Sequence, residues 1–292
     1  MIANSPPLRD LSRRTVAFCD SEYGPLVDVL LCPVGATRER RCVEPFQNRA
    51  LARQQWNDLK RMLEGESVKC HLLPVDPDQP YQTYTRDSCV VTPWGLLLTR
   101  MRLKERSGET EVVETYAKAN DLSIWRRCDE ATLEGGDVCL LRPGLAIIGY
   151  NDVRTTETAA RRLSERFIEK GWYGRPIRYP RSFRHLDIAF GVLDHRTAVY
   201  CAAALSEEDV GWIRSLDIDL IRIPDHERAT LACNVLSLGR SKVLCDRSNA
   251  ETNAMIRDAG FRVVEVDISE FIADSGGVRC LVQSLRRLPA LT

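Results

Sequence analysis

A cysteine, a histidine and several carboxylates occur in short polar motifs that are spread evenly along the chain. The motifs are YTRD at 84–87, EGGD at 134–137, HLD at 185–187, ACN at 232–234 and GGVRC at 276–280. A thiol with a histidine is the basic equipment of nucleophilic catalysis, because a thiolate attacks carbon and an imidazole moves protons near neutral pH. Cys280 and His185 are therefore the predicted nucleophile and acid–base group.

The number of carboxylates that accompany Cys280 and His185 indicates a cationic substrate. Additional acids raise the pKa of a thiol, so they would hinder a cysteine protease. They become useful if the substrate brings the positive charge. A guanidinium is planar, always charged and bound bidentately by carboxylates, and its central carbon is an electrophile. We therefore expect a small-molecule guanidino substrate, with Asp137 among the substrate-binding residues.

These residue types predict a covalent mechanism. Asp87 and Asp187 clamp the guanidinium, and Cys280 attacks its central carbon to give a thiouronium adduct. His185, oriented by Glu134, protonates the departing nitrogen and then activates the water that hydrolyses the adduct. The glycines before Cys280 are expected to let the backbone bring the thiol close to a flat guanidinium.

Each motif also has a purely structural interpretation. EGGD can be a glycine turn between strands, HLD can be a satisfied polar pair, and Asp87 can form a surface ion pair with Arg86. A metal site is the rival use of Asp, His and Cys, but no HxxxH or CxxC pattern anchors one. The prediction is therefore a site without metal or cofactor, and it depends on the motifs lying together.

The spacing of the motifs predicts that they do. Asp87 to Glu134 is 47 residues, Glu134 to His185 is 51, His185 to Cys233 is 48, and Cys233 to Cys280 is 47. A sustained period indicates a repeat architecture. Five units around an axis would bring the five motifs to one centre.

The segments between motifs read as strand, helix, strand. LAIIGY, TTETAARRLSERFIEKG and RPIRYP form one such unit, in which Ala159, Ala160, Leu163, Phe167 and Ile168 predict one buried helix face. In other units Ser206 and Asp209 form a capping-box pattern at a helix start, and Gly260 ends a helix. The predicted class is therefore α/β.

Composition limits the other possibilities. The 292 residues are 44% hydrophobic and 28% charged, with Lys+Arg and Asp+Glu at 41 each. Balanced charge gives no basis for non-specific nucleic-acid binding, and no apolar run of membrane-spanning length occurs. The eleven cysteines show no CxxC spacing, which is typical of buried thiols in a reducing compartment. The polar N-terminus lacks a signal-peptide core, so a cytoplasmic location is expected.

No composition shift or linker divides the chain, so we predict one catalytic domain over residues 1–292, with 1–14 as a loosely packed N-terminal segment. The sequence leaves the oligomeric state open, and a homo-oligomer is compatible with it.

YTRD, EGGD, HLD and the late GGVRC, in this order, resemble the guanidino-group-modifying superfamily, the penteins. That superfamily includes dimethylarginine dimethylaminohydrolase, arginine deiminase and glycine amidinotransferase. The resemblance extends from YGPLVDVLLCP at 23–33 to Cys280. It implies a five-bladed α/β propeller of pseudo-fivefold symmetry with the site on the axis, and the same roles for Cys280, His185 and Glu134.

The resemblance also implies how the rest of the substrate is held. Arg154, in GYNDVRTTETA, is similar to an arginine that binds the substrate α-carboxylate, and Arg106 is similar to a second one, with Arg102 as its rival. Glu134 stands where amidinotransferases carry an aspartate, which favours a hydrolase that gives citrulline plus an amine or ammonia. The alternatives are an amidinotransferase, in which an amine resolves the adduct, and a non-catalytic binding protein on the same fold. Many relatives have a third glycine at Ser275.

Overall fold

The computed structural model describes residues 16–35 and 45–290, so the segment 1–14 lies outside the described residues. The strands are β1 (Leu26–Leu31), β2 (Lys69–Leu72), β3 (Cys89–Thr92), β4 (Gly95–Leu98), β5 (Ile124–Arg127), β6 (Val138–Arg142), β7 (Leu145–Tyr150), β8 (Tyr173–Arg178), β9 (Phe190–Val192), β10 (Thr197–Tyr200), β11 (Asp219–Arg222), β12 (Leu236–Gly239), β13 (Lys242–Asp246), β14 (Arg262–Val266) and β15 (Gln283–Arg287). The helices are α1 (Arg49–Gly65), α2 (Glu109–Ala119), α3 (Glu157–Glu169), α4 (Glu207–Arg214), α5 (Ala250–Asp258) and α6 (Ser269–Ala273).

The strands form five three-stranded sheets, and the predicted five-bladed α/β propeller is confirmed. In each blade the first strand pairs antiparallel with the second, and the second pairs parallel with the third, as in β6, β7 and β8. A helix connects the two parallel strands, because a parallel pair needs a long crossover. The strand–helix–strand unit read from the sequence is therefore two-thirds of a blade, and it lacks the antiparallel strand.

The fifth blade is built from both ends of the described chain. β15 pairs antiparallel with β1, and β1 pairs parallel with β2. The sheet order β15–β1–β2 thus has the same plan as the other four blades. Since β15 begins three residues after Cys280, the strand that completes the ring also fixes the segment that carries the thiol.

Every motif occupies the turn that enters the first strand of a blade, and hydrogen bonds join successive motifs. The amide of Gly135 in the second motif donates to the carbonyl of Asp87 in the first, at 2.9 Å. The amide of Leu186 in the third donates to the carboxylate of Asp137 in the second, at 2.8 Å.

The same links continue around the axis. Nδ2 of Asn234 donates to the carbonyl of Asp187 at 3.1 Å, and the amide of Arg279 donates to Oδ1 of Asn234 at 2.8 Å. The amide of Arg86 donates to the carbonyl of Cys280 at 3.2 Å, which closes the ring from the fifth motif to the first. The motifs therefore converge on one centre, as the period predicted.

Local expectations about the helices are mostly met. Ser206 caps α4 by accepting a hydrogen bond from the amide of Asp209, and Gly260 follows the end of α5 with φ of 93°. Ile168 was wrongly assigned to the buried face of α3, since it is 57% exposed. Each residue advances a helix by about 100°, so the position after buried Phe167 points away from the core.

Within the described ranges, no helix combines the length and the apolar character that a membrane crossing requires.

Candidate active site

A cavity of about 500 Å³ opens at the centre where the motifs meet. Its wall includes Asp87, His185 and Cys280 from three different motifs, and two of the predicted substrate-binding arginines, Arg106 and Arg154. These five side chains come from four blades, because Asp87 and Arg106 belong to the same one, and the ring brings the four blades together.

His185 is buried and held by a carboxylate. Its Nε2 lies 2.7 Å from Oε2 of Glu134, which is itself fully buried, and its Nδ1 lies 3.6 Å from Oδ1 of Asp87. Burial alone lowers the pKa of His185, but the carboxylates of Asp87 and Glu134 outweigh it and raise this pKa to about 10. The imidazole is therefore protonated at neutral pH and can act as an acid through Nδ1.

Cys280 is buried in a polar and acidic setting. Its Sγ accepts a hydrogen bond from Nδ2 of Asn234 at 3.3 Å and lies 3.9 Å from Oδ2 of Asp187. Burial raises the pKa of Cys280 well above its ordinary value, and the charges of Asp187 and Asp87 raise it further. The thiol is thus protonated in the free protein, which agrees with the direction that the surrounding acids predict.

Asp87 is ionised and already has a cationic partner. Its Oδ2 accepts a hydrogen bond from Nη1 of Arg106 at 2.9 Å, and its Oδ1 accepts one from the amide of Gly136 at 3.2 Å. Burial opposes ionisation, but His185 and Arg106 lower the pKa of Asp87 to about 2. Arg106 is also paired with Glu109 through two contacts of 2.8 Å, a residue that the sequence analysis did not identify.

Asp187 also contacts the thiol of Cys280. Its Oδ2 lies 3.7 Å from Nη1 of Arg279, so the arginine beside Cys280 supplies positive charge beneath the site. Its Oδ1 is buried and has no hydrogen-bond partner among the described residues. Burial raises the pKa of Asp187, although Arg279 and His185 lower it.

Arg154 presents a second buried atom without a partner. Its Nη1 lies 3.8 Å from Oε1 of Glu134 and makes no hydrogen bond within the part of the chain that the structure describes. The side chain of Arg102 is exposed, and its backbone amide donates to Oε1 of Glu134 at 2.9 Å. Of the two rival arginines, Arg106 therefore lines the cavity and Arg102 does not.

Asp137, like Glu134 and Asp187, is not among the residues that line the cavity. Its Oδ1 accepts hydrogen bonds from the hydroxyl of Tyr179 at 2.6 Å and the amide of Leu186 at 2.8 Å. Burial raises the pKa of Asp137 to about 7. Through its bond to the amide of Leu186, Asp137 holds the HLD motif in place.

Three further residues at the cavity were missed by the sequence analysis. Asn234 contacts the thiol, and its signal was present, because ACN is the fourth repeat of the motif series. Arg184 and Asp274 line the rim, where Nη1 of Arg184 donates to the carbonyl of Asp274 at 2.9 Å. The Asp274 carboxylate in turn accepts a hydrogen bond from the hydroxyl of Tyr84 at 2.7 Å.

The glycines before Cys280 are required by packing. A Cβ on Gly276 would lie 2.1 Å from the ring of Tyr84, and one on Gly277 would lie 2.2 Å from Oδ1 of Asn234. Because they lack a Cβ, Gly276 and Gly277 can pack closely against Tyr84 and Asn234. Ser275 has φ of 64°, a left-handed conformation in which glycine carries no steric penalty.

Asp87, Glu134 and His185 could offer ligand atoms within 4.8 Å of one another to a metal ion. The guanidinium of Arg106, 2.9 Å from Asp87 and 4.0 Å from Glu134, already supplies positive charge to these acids and would repel a metal ion placed among them. The donor set therefore fits a protonated His–carboxylate pair better than a metal.

A family model described as arginine deiminase matches residues 61–221 and 210–287. The uncharacterized protein YkgA of Bacillus subtilis is 29% identical, over 92% of this chain and 95% of that protein. The N(G),N(G)-dimethylarginine dimethylaminohydrolase of Pseudomonas aeruginosa is 27% identical, over 80% of this chain and 87% of that protein.

Among solved structures, the N-terminal domain of ArgZ, described as an arginine dihydrolase from the ornithine–ammonia cycle in cyanobacteria, has a TM-score of 0.80 to this chain. It covers 91% of this chain and 99% of that domain at 19% identity, so the likeness shows the fold alone. The expected pentein resemblance is confirmed by these matches together.

Proposed function

The chain belongs to the arginine deiminase family, whose members hydrolyse guanidino groups, and we propose that it converts arginine or an N-methylated arginine to citrulline. Ammonia or an amine would be the second product. The observation that carries the proposal is the cavity wall, on which a buried thiol, an imidazolium and acids from different blades face one space of about 500 Å³.

The charges at the site suit a substrate with a cation at one end and a carboxylate at the other. Oδ1 of Asp187 is an acceptor without a partner among the described residues, and Nη1 of Arg154 is a donor in the same position. Buried polar atoms are rarely left unpaired. We assign the guanidinium to Asp187 and Asp87, and the α-carboxylate to Arg154.

Arg106 has a different role in this proposal. All three of its nitrogens are hydrogen-bonded, to Asp87, to Glu109 and to the carbonyl of Tyr84. It therefore holds Asp87 ionised and oriented, and it meets the substrate carboxylate only if these bonds are exchanged. Direct binding of the carboxylate falls mainly to Arg154.

The chemistry proceeds through Cys280. When the cationic substrate enters, the thiol loses its proton to water, since a neighbouring positive charge stabilises the thiolate. Sγ forms a bond to the guanidinium carbon, and Nδ1 of His185 donates its proton to the departing nitrogen as the C–N bond breaks. Ammonia or an amine leaves, and a thiouronium cation stays on Cys280.

Water then completes the reaction. Neutral His185 accepts a proton from a water molecule, whose oxygen attacks the thiouronium carbon. The C–S bond breaks, the electron pair returns to Cys280 as thiolate, and loss of the remaining hydroxyl proton to water leaves citrulline. Glu134 keeps Nε2 of His185 engaged throughout, so that Nδ1 is the nitrogen that exchanges protons.

The test is a product assay with purified protein. Arginine, monomethylarginine and dimethylarginine are supplied separately, and citrulline, ornithine, urea and ammonia are measured, then the series is repeated with glycine as an amine acceptor. Citrulline from one of the arginines supports the proposal, whereas a guanidinylated acceptor would indicate amidino transfer. Absence of citrulline with every substrate would remove the proposal.

Two cysteine variants separate chemistry from structure. Cys280→Ser should bind arginine without turnover, with a loss of kcat of about 10³-fold or more, because a serine hydroxyl is a far weaker nucleophile here. Cys128→Ser is the matched control, since Cys128 is only partly buried and lies outside the site. Full activity in Cys280→Ser would exclude the covalent mechanism.

A further inference from the structure

A larger groove adjoins the catalytic cavity and is open to solvent. This outer groove and the catalytic cavity share Arg184 and Ser275 as lining residues. Val153 also lines the outer groove, and it precedes Arg154, to which the substrate α-carboxylate is assigned. The outer groove therefore begins beside the end of the catalytic cavity that would hold the α-carbon of the substrate.

The outer groove is positively charged. Three of its lining residues are arginines, Arg181, Arg184 and Arg228, and none of them forms an ion pair within 4.0 Å with a carboxylate of the described residues. The acid among the described lining residues is Asp225, and it already pairs with Arg222 at 3.3 Å. The groove thus carries cations that nearby acids leave without a partner.

Arg228 is held in place by neutral groups. Its guanidinium carbon lies 4.3 Å from the ring centroid of Phe183, and its Nη2 donates to the hydroxyl of Ser182 at 3.1 Å. An aromatic ring and a hydroxyl orient a guanidinium without neutralising it. Arg228 is therefore arranged in advance for a carboxylate, because no ion pair has to be broken and little side-chain freedom is left to lose.

A second stacked arginine shows what Arg228 lacks. The guanidinium carbon of Arg175 lies 4.4 Å from the ring centroid of Trp212, and its Nη2 lies 3.1 Å from Oδ1 of Asp209 and 3.4 Å from Oε1 of Glu208. At Arg175 the chain supplies the acids itself. At Arg228 no described residue does so, and the carboxylate is expected to come from a ligand.

The other two arginines differ in how far their charge is offset. Nη1 of Arg184 donates to the carbonyl of Asp274 at 2.9 Å. Burial raises the pKa of Asp274, although Tyr84 and Arg184 lower it, so the Asp274 carboxylate offsets Arg184 in part. Arg181 is exposed and makes no hydrogen bond or ion pair with the described residues. Arg181 and Arg228 are therefore the cations available to a ligand.

We infer that the outer groove binds a carboxylate attached through the α-nitrogen of the substrate, so that the preferred substrate is an arginine acylated by an acidic group, as in a peptide that ends in glutamyl-arginine. The inference rests on the proposed function, in which Arg154 takes the α-carboxylate and leaves the α-nitrogen as the point of attachment. An amide at this nitrogen also removes the ammonium charge, which Arg181 and Arg228 would repel. The reaction is the same hydrolysis, in which water replaces ammonia at the guanidinium carbon.

The test compares two substrates that differ in one charge, N-acetyl-glutamyl-arginine and N-acetyl-glutaminyl-arginine, with free arginine as the reference. Formation of the citrulline product is followed by mass spectrometry, and kcat/KM is determined for each. The glutamyl peptide should be the better substrate of the wild-type protein by about 5-fold or more, because it gains a charge-assisted hydrogen bond to a partly exposed arginine. The ratio of the two peptides should fall as salt is added, since salt screens this interaction.

Arg228→Met removes the charge but keeps an apolar side chain on Phe183, and it should bring the ratio close to one. The ratio is taken within each variant, so a general loss of activity cancels. The matched control is Arg175→Met, which removes the stacked arginine that has acids of its own, and it should keep the wild-type ratio.

Equal kcat/KM for the two peptides in the wild-type protein would overturn the inference, and so would an unchanged ratio in Arg228→Met or turnover of free arginine alone. In each of these cases citrulline is formed, so the proposed function stands. If Arg228→Met does not fold, the salt series on the wild-type protein decides, and a ratio that does not respond to salt would exclude binding by the groove arginines. Absence of citrulline with both peptides and with arginine would remove the proposed function itself, and this inference with it.

Discussion

Replacement of Glu134 by glutamine tests whether the buried carboxylate keeps His185 protonated. The amide has nearly the same shape, but it removes the negative charge 2.7 Å from Nε2. Both side chains are almost fully buried, so solvent screens this charge only weakly. Loss of an opposite charge at such a distance lowers a pKa by about 1–3 units, and we expect His185 to fall by that amount from about 10.

The same change has a consequence for stability. The folded pKa of His185, about 10, is above its ordinary value of 6.5. The pairing therefore stabilises the fold fully below pH 6.5 and is lost as pH rises through 10. At roughly 1.4 kcal/mol per unit, Glu134→Gln should reduce the free energy of unfolding at neutral pH by about 1.4–4 kcal/mol. This difference from wild type should shrink as pH approaches 10.

The pKa can be measured without any turnover. The chain has four histidines, so nitrogen-15 labelling of histidine gives four imidazoles to follow by NMR against pH, and a His185→Asn variant identifies the relevant one. Glu165→Gln, at an exposed position of α3, is the matched control and should leave the His185 titration unchanged. If His185 titrates at the same pH in Glu134→Gln as in wild type, the carboxylate does not hold the proton and the assignment of His185 as the acid loses its basis.

Three further outcomes are expected. Arg154→Met should lower kcat/KM for arginine by about 10- to 100-fold but hardly affect agmatine, which lacks the carboxylate, and equal losses for both would refute carboxylate binding by Arg154. Iodoacetamide should alkylate Cys280 slowly at neutral pH without substrate, because the pKa of this thiol is raised. Peptide mapping follows the modification of Cys280, and rapid modification would instead indicate a preformed thiolate. Ser275→Gly should raise the free energy of unfolding by roughly 1 kcal/mol in urea titrations, since φ at this position is 64°, and a destabilised variant would contradict this.

The repeat pattern in the sequence was enough to predict which residues meet at the centre of the molecule. The period near 48 predicted that Asp87, Glu134, His185 and Cys280 converge, and the ring of hydrogen bonds between motifs bears this out. The reason is that each motif enters the first strand of a blade, so equal spacing along the chain becomes equal position around the axis. Asn234 belongs to the same series, and its role was available from the same argument.

Other features depend on contacts that no spacing encodes. Arg279 was unexplained by its neighbours, and it pairs with Glu22, which is 257 positions earlier in the chain. Likewise, β15 joins the sheet of β1, because closure of a propeller pairs the end of the chain with its beginning. The glycines before Cys280 serve Tyr84 and Asn234, which approach from other blades.

The chain by itself determined the repeat, the α/β class and the residue types that can attack a guanidinium, since these follow from local periodicity and side-chain chemistry. Only the tertiary structure decided the protonation of these groups. The pKa of His185 is raised by carboxylates from two other blades, that of Asp87 is lowered by His185 from another blade and Arg106 from its own, and burial raises the pKa of Cys280. A pKa depends on distance and dielectric in three dimensions, and these exist only once the ring has closed.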